Sequence, residues 1–421
     1  MDTIPSELLH QICGELPHKD LTNASLTGRR FYACCMRILY RTPYPATHCG
    51  NVKLLQTLAR NPRLASHVRE LCVELESTTL LQSIVRVCRA AMSNLSRVSH
   101  LLLAMHPSLF AALADVQLPQ LVDCDIPSSP AVCKFLEANP RISRLQISES
   151  KSHLEVAIPS PVAPLQWLKS YTGPAAFALA LLPRSQVSDV AVTWPRHGLT
   201  VEHISAVLCA ASEAQVAVTK LASRSGYQPE LLRAISAHLP NLTVLMLRMP
   251  VSPNDERYPD LLAAIETTIS QLPSLVEFCF RASDRAIPQP DTVIFTLQDL
   301  DEEFALIRHW GVLCPSLNDC CITETQWLRS VDAGWDSAAG RDSVWYPRNL
   351  FNMELLLRHR LMALRWYWWI KRVVSDGPQK LPQSYRAFLD AASPWAGVRL
   401  QVFRDWIALV EEKVAAQAQA T

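Results

Sequence analysis

The sequence has few glycines and no glycine-rich loop. Only 11 of its 421 residues are glycine, and no two of them stand in a GxG arrangement. Loops that cradle phosphates or dinucleotides need closely spaced glycines, because the backbone itself must approach the ligand. The scarcity of glycine therefore argues against a nucleotide-dependent enzyme.

The sequence also lacks a long apolar run and the features of a secretory signal. No apolar stretch approaches the roughly twenty residues that cross a bilayer. The start, MDTIPSELL, carries acidic residues where a secretory signal carries basic ones. We therefore expect an intracellular protein, cytoplasmic or nuclear, with no membrane partner.

Neither sign of charge prevails. The chain has 40 Lys and Arg against 39 Asp and Glu, for a formal net charge of +1. Proteins that bind nucleic acid through phosphate contacts usually carry a clear basic excess. The charge balance therefore predicts no nucleic acid partner.

The thirteen cysteines show no metal-binding or disulfide pattern. Their number is odd and no two are spaced as CxxC, whereas zinc sites and disulfide frameworks need regular pairs. The adjacent pairs Cys34-Cys35 and Cys320-Cys321 suit neither arrangement. We predict reduced cysteines that pack as small core residues, with no metal and no cofactor.

No local motif marks a catalytic site. The acidic run QDLDEEF at 298–304 has the carboxylates of a general acid and base, but acids are equally expected in the first turn of a helix. We favour the helix start. The histidines and cysteines occur in no recognisable nucleophile motif. The sequence therefore predicts a protein that is not an enzyme.

The first 41 residues predict three short helices. Pro5 suits a first helical turn, Pro17 ends that helix, and Gly28 allows a turn between the second and third. Apolar residues recur at helical spacing within each segment: Leu8, Leu9, Ile12, Cys13 and Leu16; then Leu21, Ala24 and Leu26; then Phe31, Cys35, Ile38 and Leu39. So small a unit buries little apolar surface, and we expect a partner protein to cover part of it.

These residues resemble an F-box. The resemblance is carried by Ile4, Pro5, Glu7, Leu8, Leu9, Ile12, Leu16, the Asp20-Leu21 pair and Arg29-Arg30-Phe31. It implies a domain that docks on the Skp-type adaptor of a cullin-RING ubiquitin ligase. It further implies that the adaptor contacts are made by Ile4, Pro5, Leu8, Leu9, Ile12, Leu16, Leu21, Leu26 and Phe31.

A repeated phrase follows the N-terminal helices. Residues 42–51 are rich in turn formers and predict a linker, and residues 52–58 predict a helix. From there to residue 323 a six-residue phrase recurs, which has apolar residues at its first, fourth and sixth positions. The middle apolar positions are 21 to 42 residues apart: Leu71, Leu101, Cys124, Leu145, Leu168, Val190, Leu221, Leu245, Phe278 and Cys320.

The repeat predicts strands that alternate with helices. Alternating apolar positions are typical of a strand with one buried face, and the intervening segments 80–92 and 230–239 have helical spacing. The phrases resemble degenerate leucine-rich repeats. We therefore predict an α/β protein in which a three-helix F-box precedes an irregular leucine-rich-repeat solenoid over residues 52–323. An irregular α/β domain without true repeats is the alternative.

Tryptophan marks the C-terminal part of the chain. The segment TQWLRSVDAGWDS at 325–337 resembles the closing stretch of fungal-type F-box repeat proteins. We predict that residues 324–346 cap the end of the solenoid through Trp327, Trp335 and Trp345, since a terminal repeat exposes an apolar end. Residues 347–421 predict a helical tail, with an apolar stripe from Leu350 to Trp368 and a last helix at 399–414.

One segment of that tail interleaves basic and aromatic residues. The run RHRLMALRWYWWIKR at 358–372 has the composition of a surface for nucleic acid or for a membrane. A Trp-rich packed helix with solvated arginines has the same composition. We favour the packed helix because charge is balanced elsewhere.

The leading hypothesis is a substrate-recognition subunit of an SCF-type ubiquitin ligase. The adaptor, and through it a cullin scaffold, would bind at the F-box, and an unknown target protein at the repeats. A free-standing repeat scaffold without ligase association is the main alternative. A DNA-binding three-helix head is the third, but Arg29, Arg30 and Arg37 supply few phosphate contacts.

Overall fold

The computed structural model of the chain forms two compact units, residues 1–218 and 219–421. The residues it describes are 4–45, 47–75, 82–148, 165–195, 199–225, 228–249, 251, 255–281, 297–322, 325–329 and 345–347. The predicted tail helices, with the basic and aromatic run at 358–372, lie outside these ranges.

The first unit begins with three helices, which confirms the prediction for this segment. Helix α1 spans Ser6–Gly14, α2 spans His18–Ser25 and α3 spans Arg29–Leu39. Pro5 and Pro17 immediately precede α1 and α2, with φ of −55° and −58° that suit a helix start. We call residues 4–41 the head.

Strands and helices alternate through the rest of the first unit. In chain order they are α4 (His48–Arg60), α5 (Pro62–Ala65), β1 (Glu70–Leu75), α6 (Gln82–Ser93), β2 (His100–Met105), α7 (Pro107–Ala111), β3 (Asp123–Pro127), α8 (Val132–Ala138), β4 (Arg144–Ser148), β5 (Ser170–Pro174), α9 (Ala175–Leu181), β6 (Asp189–Thr193) and α10 (Val201–Ser212). Strands β1 to β6 pair in parallel in this order.

The second unit repeats the alternation and then changes strand direction. Its elements are β7 (Lys220–Arg224), α11 (Pro229–His238), β8 (Val244–Arg248), α12 (Tyr258–Ser270), β9 (Glu277–Arg281), α13 (Leu297–Leu313), β10 (Asp319–Ile322), β11 (Thr325–Arg329) and β12 (Trp345–Pro347). Strands β7 to β10 are parallel, whereas β11 pairs antiparallel with β10, and β12 with β11. The prediction of an α/β protein with N-terminal helices is confirmed.

All but one of the predicted middle positions occupy one register column in each unit. Leu71 pairs with Leu101, which pairs with Cys124 and so on along the sheet. Leu221, Leu245, Phe278 and Cys320 form the corresponding column of the second unit. These side chains are buried, since one face of each strand points into the core.

One middle position was assigned wrongly. Leu168 was predicted to lie in a strand, but β5 begins at Ser170 and the residue in register with Leu145 is Tyr171. Leu168 lies in the preceding turn, where its amide donates to the carbonyl of Leu165 at 3.1 Å. Both residues are buried, as Val98 and Leu121 are before their strands. The apolar residues Leu165 and Leu168 both precede the strand. The predicted middle position therefore lies three residues before the observed one, Tyr171.

The helices predicted after the head and within the described residues are present, with differences at their ends. Helix α4 was predicted at 52–58 and begins at His48, because the Thr47 hydroxyl accepts from the amide of Gly50 at 3.1 Å and caps it. Helices α6 and α11 fall within a few residues of their predicted ranges. The acidic run at 298–304 opens α13, as expected.

Before eight of the described parallel strands, one backbone carbonyl accepts two hydrogen bonds from the next repeat. The Arg69 carbonyl accepts from the amides of Ser99 and His100, at 2.8 and 3.1 Å. The carbonyls of Ser99, Val122, Ser143, Lys169, Thr219, Thr243 and Val276 do the same one strand further along. The pattern starts in the head, since the Arg41 carbonyl accepts from the amides of Arg69 and Glu70 at 2.8 and 3.1 Å. The head is thereby joined to the first strand of its unit.

Candidate functional site

The interior of the head is small and contains two cysteines. Leu9, Cys13, Leu21 and Cys35 are buried, and the partly buried residues around them are Ile4, Leu16, Ala24, Phe31, Cys34, Ile38 and Leu39. The Sγ atoms of Cys13 and Cys35 lie 3.7 Å apart, and both residues are free thiols. Burial, followed by the contact with Cys13, raises the pKa of Cys35 to about 11, so this thiol is protonated at neutral pH.

Several large apolar side chains of the head are exposed to solvent. Leu8 is 49% exposed, Ile12 51% and Leu26 82%. Leu8 and Ile12 stand four residues apart in α1 and therefore share one face of that helix. Tyr32, in α3, is 47% exposed. Large exposed apolar residues on a small helical unit are typical of a protein–protein contact.

The structure sorts the predicted adaptor-binding residues into three groups. Pro5, Leu8, Ile12 and Leu26 are exposed, and a partner can touch them directly. Leu9 and Leu21 are each 4% exposed and lie in the interior of the head. Ile4, Leu16 and Phe31 are partly buried against that interior. The sequence pattern did not separate these roles, because an exposed and a buried leucine next to each other have the same hydropathy.

Sequence reasoning missed Tyr32. It follows Phe31, which was assigned to the predicted site, and precedes the apolar positions of α3. Phe31 packs against the interior and Tyr32 is exposed, since successive residues of a helix point about 100° apart. In a helical projection of α3, Tyr32 lies three residues before Cys35 and seven before Leu39, at the edge of the same face, so the helical period alone would not have placed it in solvent.

One arginine side chain of α3 supports the geometry of the head. The guanidinium of Arg30 donates to the backbone carbonyl of Ile4 at 2.7 Å, across 26 residues of sequence. This bond holds the start of α1 against α3 and thereby fixes the face that carries Leu8 and Ile12. Arg30 has a structural role in the head, which weakens the DNA-binding alternative further.

The outward faces of the strands carry most of the polar side chains of the strands. In the first unit, Asp123 lies between His100 and Arg144 in register. Its Oδ2 atom is 3.3 Å from His100 Nδ1 and 2.7 Å from Arg144 Nη2. Two residues later on β3, Asp125 accepts from the Ser148 hydroxyl at 2.6 Å and the Gln146 amide at 2.8 Å. Burial raises the pKa of Asp125, and the Ser148 bond opposes this effect.

The second unit carries a thiol pair on its outward face. Cys279 and Cys321 are in register on β9 and β10, and Arg281 follows two residues later on β9. The hydrogen bond from Cys321, together with the positive charge of Arg281, lowers the pKa of Cys279 from 9.0 to about 7 against the effect of burial. The same hydrogen bond raises the pKa of Cys321.

Two other kinds of site are absent from the part of the chain that the structure describes. There, no group of three or more His, Cys, Asp or Glu side chains is placed to hold a metal ion. None of the helices in those ranges combines the length and apolar content needed to cross a bilayer.

Comparison with protein families identifies the head. Residues 1–46 match the model of the F-box-like family. No curated protein matches the chain. The chain thus contains an F-box-like domain at its N-terminus, which includes the head and the exposed apolar residues described above. Such domains typically bind Skp-type adaptors.

Proposed function

We propose that this protein is the substrate-recognition subunit of an SCF-type cullin-RING ubiquitin ligase. The observation that carries the proposal is that Leu8, Ile12 and Leu26 are exposed on a head that matches the F-box-like family. A partner that covers these side chains gains roughly 3–5 kcal/mol from apolar burial, before the costs of association. The Skp-type adaptor is the partner that such a domain is expected to bind.

The predicted adaptor-binding residues contribute in different ways. Pro5, Leu8, Ile12 and Leu26 contact the adaptor, while Leu9 and Leu21 hold the helices together from inside. Ile4, Leu16 and Phe31, which are partly buried, support the edge of the contact. The hydrogen bonds that the amides of Arg69 and Glu70 donate to the Arg41 carbonyl then fix the direction in which the first strands leave the adaptor.

The strands and helices after the head are degenerate leucine-rich repeats that bind the target protein. Two observations support this assignment. Middle apolar residues form one register column in each unit, and a carbonyl before the strand repeatedly accepts two hydrogen bonds from the next repeat. The outward strand faces, which carry most of the polar side chains of the strands, contact the target. The protein itself supplies proximity between target and ligase rather than a catalytic group.

Adaptor capture by a variant of the exposed face tests the proposal. Leu8→Glu combined with Ile12→Glu places two carboxylates where aliphatic side chains would be buried. We expect the affinity for purified Skp-type adaptor to fall by at least about a hundredfold, because apolar burial is lost and charge is desolvated. Biolayer interferometry with the full-length protein measures the change. Both side chains are about half exposed, so the head should remain folded.

Leu102→Glu is the matched control. Leu102 is 38% exposed on the outward face of β2, so the same chemical change is made on the same unit but outside the head. It should leave adaptor binding unchanged. If neither the natural protein nor the control binds the adaptor, the protein is a repeat scaffold without ligase association. If the double variant binds as tightly as the natural protein, the adaptor site lies elsewhere.

A further inference from the structure

Two cysteines lie side by side on the outward face of the second unit. Cys279 is the middle residue of β9 and is in register with Cys321 on the parallel strand β10. Phe278 and Phe280, which flank Cys279, are buried in the core, and so is Cys320. Because successive residues of a strand point to opposite faces of the sheet, both Cys279 and Cys321 point outward.

The pair has the backbone spacing of a disulfide. Neighbouring strands are about 4.8 Å apart, and the Cα atoms of a disulfide lie about 4.4–6.8 Å apart. Two cysteines in register therefore lie within that range without any separation of the strands. Cys279 and Cys321 are both free thiols that are partly accessible to solvent. A hydrogen bond joins their side chains.

The surroundings favour a thiolate on one residue and a thiol on the other. The hydrogen bond from Cys321 lowers the pKa of Cys279 to about 7, and Arg281 acts in the same direction, against burial and the charge of Glu277. The same hydrogen bond raises the pKa of Cys321. The thiolate is the nucleophile in thiol chemistry. Cys279 is therefore the more reactive member of the pair, with a protonated thiol next to it.

An outward cysteine elsewhere in the sheet has neither property. Cys72 lies on the outward face of β1 with a similar degree of exposure, and its register partner on β2 is Leu102. Burial, followed by the charge of Glu74, raises the pKa of Cys72. The features of the Cys279 pair therefore come from its position beside a second thiol and Arg281, and do not follow from an outward strand position alone.

We propose that Cys279 and Cys321 are a modification site, at which a peroxide converts the two thiols into a reversible disulfide. Cys279 is oxidised first. Its thiolate attacks one oxygen of hydrogen peroxide, the O–O bond breaks, and the hydroxide that leaves takes up a proton to form water. The sulfur is thereby oxidised by two electrons to a sulfenic acid, and the peroxide is reduced.

Cys321 then completes the bond. Its thiol loses a proton and its sulfur attacks the sulfenic sulfur of Cys279, so that the S–O bond breaks and hydroxide leaves with that proton as water. Two thiols and one hydrogen peroxide thus give one disulfide and two waters. Oxidation of Cys279 also removes the thiolate that raises the pKa of Cys321, while the positive charge of Arg281 remains. The first step therefore prepares the second.

The disulfide would tie β9 to β10 across 42 positions of the chain, which include α13. Exchange with a thiol such as glutathione breaks it again, so the bond reports the oxidant to which the protein is exposed. This inference rests on the geometry of the thiols and is independent of adaptor binding.

Oxidation of the full-length protein tests the inference. Reduced protein, freed of reductant, is treated at pH 7 with a small excess of hydrogen peroxide, and N-ethylmaleimide then blocks the remaining thiols. Peptide mass spectrometry without reduction quantifies the bond between Cys279 and Cys321 and the state of Cys72. Fragment ions that separate Cys320 from Cys321 assign the linked sulfur, and a non-reducing gel shows whether the bond lies within one chain.

We expect Cys279 to be consumed at least about fivefold faster than Cys72. At pH 7 the thiolate fraction of Cys279 is more than about tenfold larger. The lower nucleophilicity of the less basic thiolate offsets only part of this advantage.

Two variants locate the reaction. Cys321→Ser should abolish the bond and leave Cys279 as a sulfenic acid, which dimedone traps. Cys72→Ser is the matched control and should form the bond at the natural rate, since it removes an outward thiol of another strand. Circular dichroism verifies folding. If Cys321→Ser fails to fold, Cys279→Ser replaces it and should leave Cys321 unoxidised.

Four results would overturn the inference. They are the absence of the bond in the natural protein, a bond made by Cys320 in place of Cys321, consumption of Cys279 no faster than that of Cys72, and a bond formed only between chains. A sulfenic acid on Cys279 without any bond in the natural protein would indicate a single reactive thiol and would also contradict the pair.

Discussion

At the residue scale, the fold lowers the pKa of the Cys279 thiol into the neutral range. Its pKa is lowered to about 7 by the hydrogen bond from Cys321 and by Arg281, so about half of it is thiolate at pH 7. Cys72, on the outward face of β1, has a similar degree of exposure but a raised pKa, because burial and the neighbouring Glu74 and Asp125 disfavour its thiolate. The two cysteines therefore provide an internal comparison.

We predict that iodoacetamide labels Cys279 with a midpoint near pH 7 and labels Cys72 only above pH 9. The thiolate is the reactive form, so labelling rises as pH increases through the pKa. Arg281→Gln removes the positive charge and should shift the Cys279 midpoint upward. Peptide mass spectrometry across a pH series measures both midpoints. Lys220→Gln, which removes a more distant charge, should leave them in place, and an unshifted midpoint in Arg281→Gln would contradict the assigned cause.

At the scale of single elements, Asn139 connects α8 to the turn that precedes β3. It is 3% exposed, and its Oδ1 atom accepts from the Leu118 amide at 2.7 Å. Its Nδ2 atom donates to the carbonyls of Val116 and Phe135, each at 2.9 Å. Asn94, after α6, likewise donates to the carbonyls of Leu58 and Ala59 at the end of α4, at 3.0 and 3.1 Å. Asparagines at helix ends thus bind the backbone of the preceding repeat.

Asn139→Ala should destabilise the first unit by about 3 kcal/mol, because a buried amide and two carbonyls lose their partner. Thermal unfolding followed by circular dichroism measures the loss, and hydrogen exchange at the Leu118 amide shows where it occurs. The matched control is Asn241→Ala, an exposed asparagine in the turn before β8, which should change stability by less than about 0.5 kcal/mol. Equal effects of the two substitutions would show that the Asn139 bonds contribute little.

At the scale of the whole molecule, the parallel part of the second unit ends in strands of opposite direction. Strand β11 pairs antiparallel with β10 and places Trp327, 1% exposed, in register with Cys320. Strand β12 then pairs with β11. These strands cover the edge of β10, which would otherwise expose unpaired backbone groups and buried apolar residues. Trp335 lies outside the described residues, so its part in the predicted cap stays a prediction.

We predict that a chain ending at Ile322 is less soluble than a chain ending at Pro347. The first exposes the edge of β10 and the surface that Trp327 covers, whereas the second retains β11 and β12. Light scattering and size-exclusion chromatography compare the two at equal concentration. Both lack the C-terminal tail, so a difference reports on the cap alone. Equal solubility would mean that these strands do not protect the end of the unit.

The head illustrates how much of the site could be predicted from sequence. Periodic leucines and two prolines were enough to place three helices within a few residues, because short amphipathic helices follow local rules. The same periodicity did not assign Leu8 to solvent and Leu9 to the interior. That assignment depends on how α1 meets α3, including the bond from Arg30 to the Ile4 carbonyl, which spans 26 residues of chain.

The sequence by itself determined the alternation of strands and helices and all but one of the middle core positions. Strand and helix periods are local, and each apolar phrase repeats them. Tertiary structure decided the rest. Only the sheet register places Arg224, Arg248 and Arg281 side by side, and Cys279 against Cys321, although the chain separates these residues by 24, 33 and 42 positions. Side chains so far apart in sequence become neighbours through the lengths of the intervening helices and loops, which no local pattern encodes.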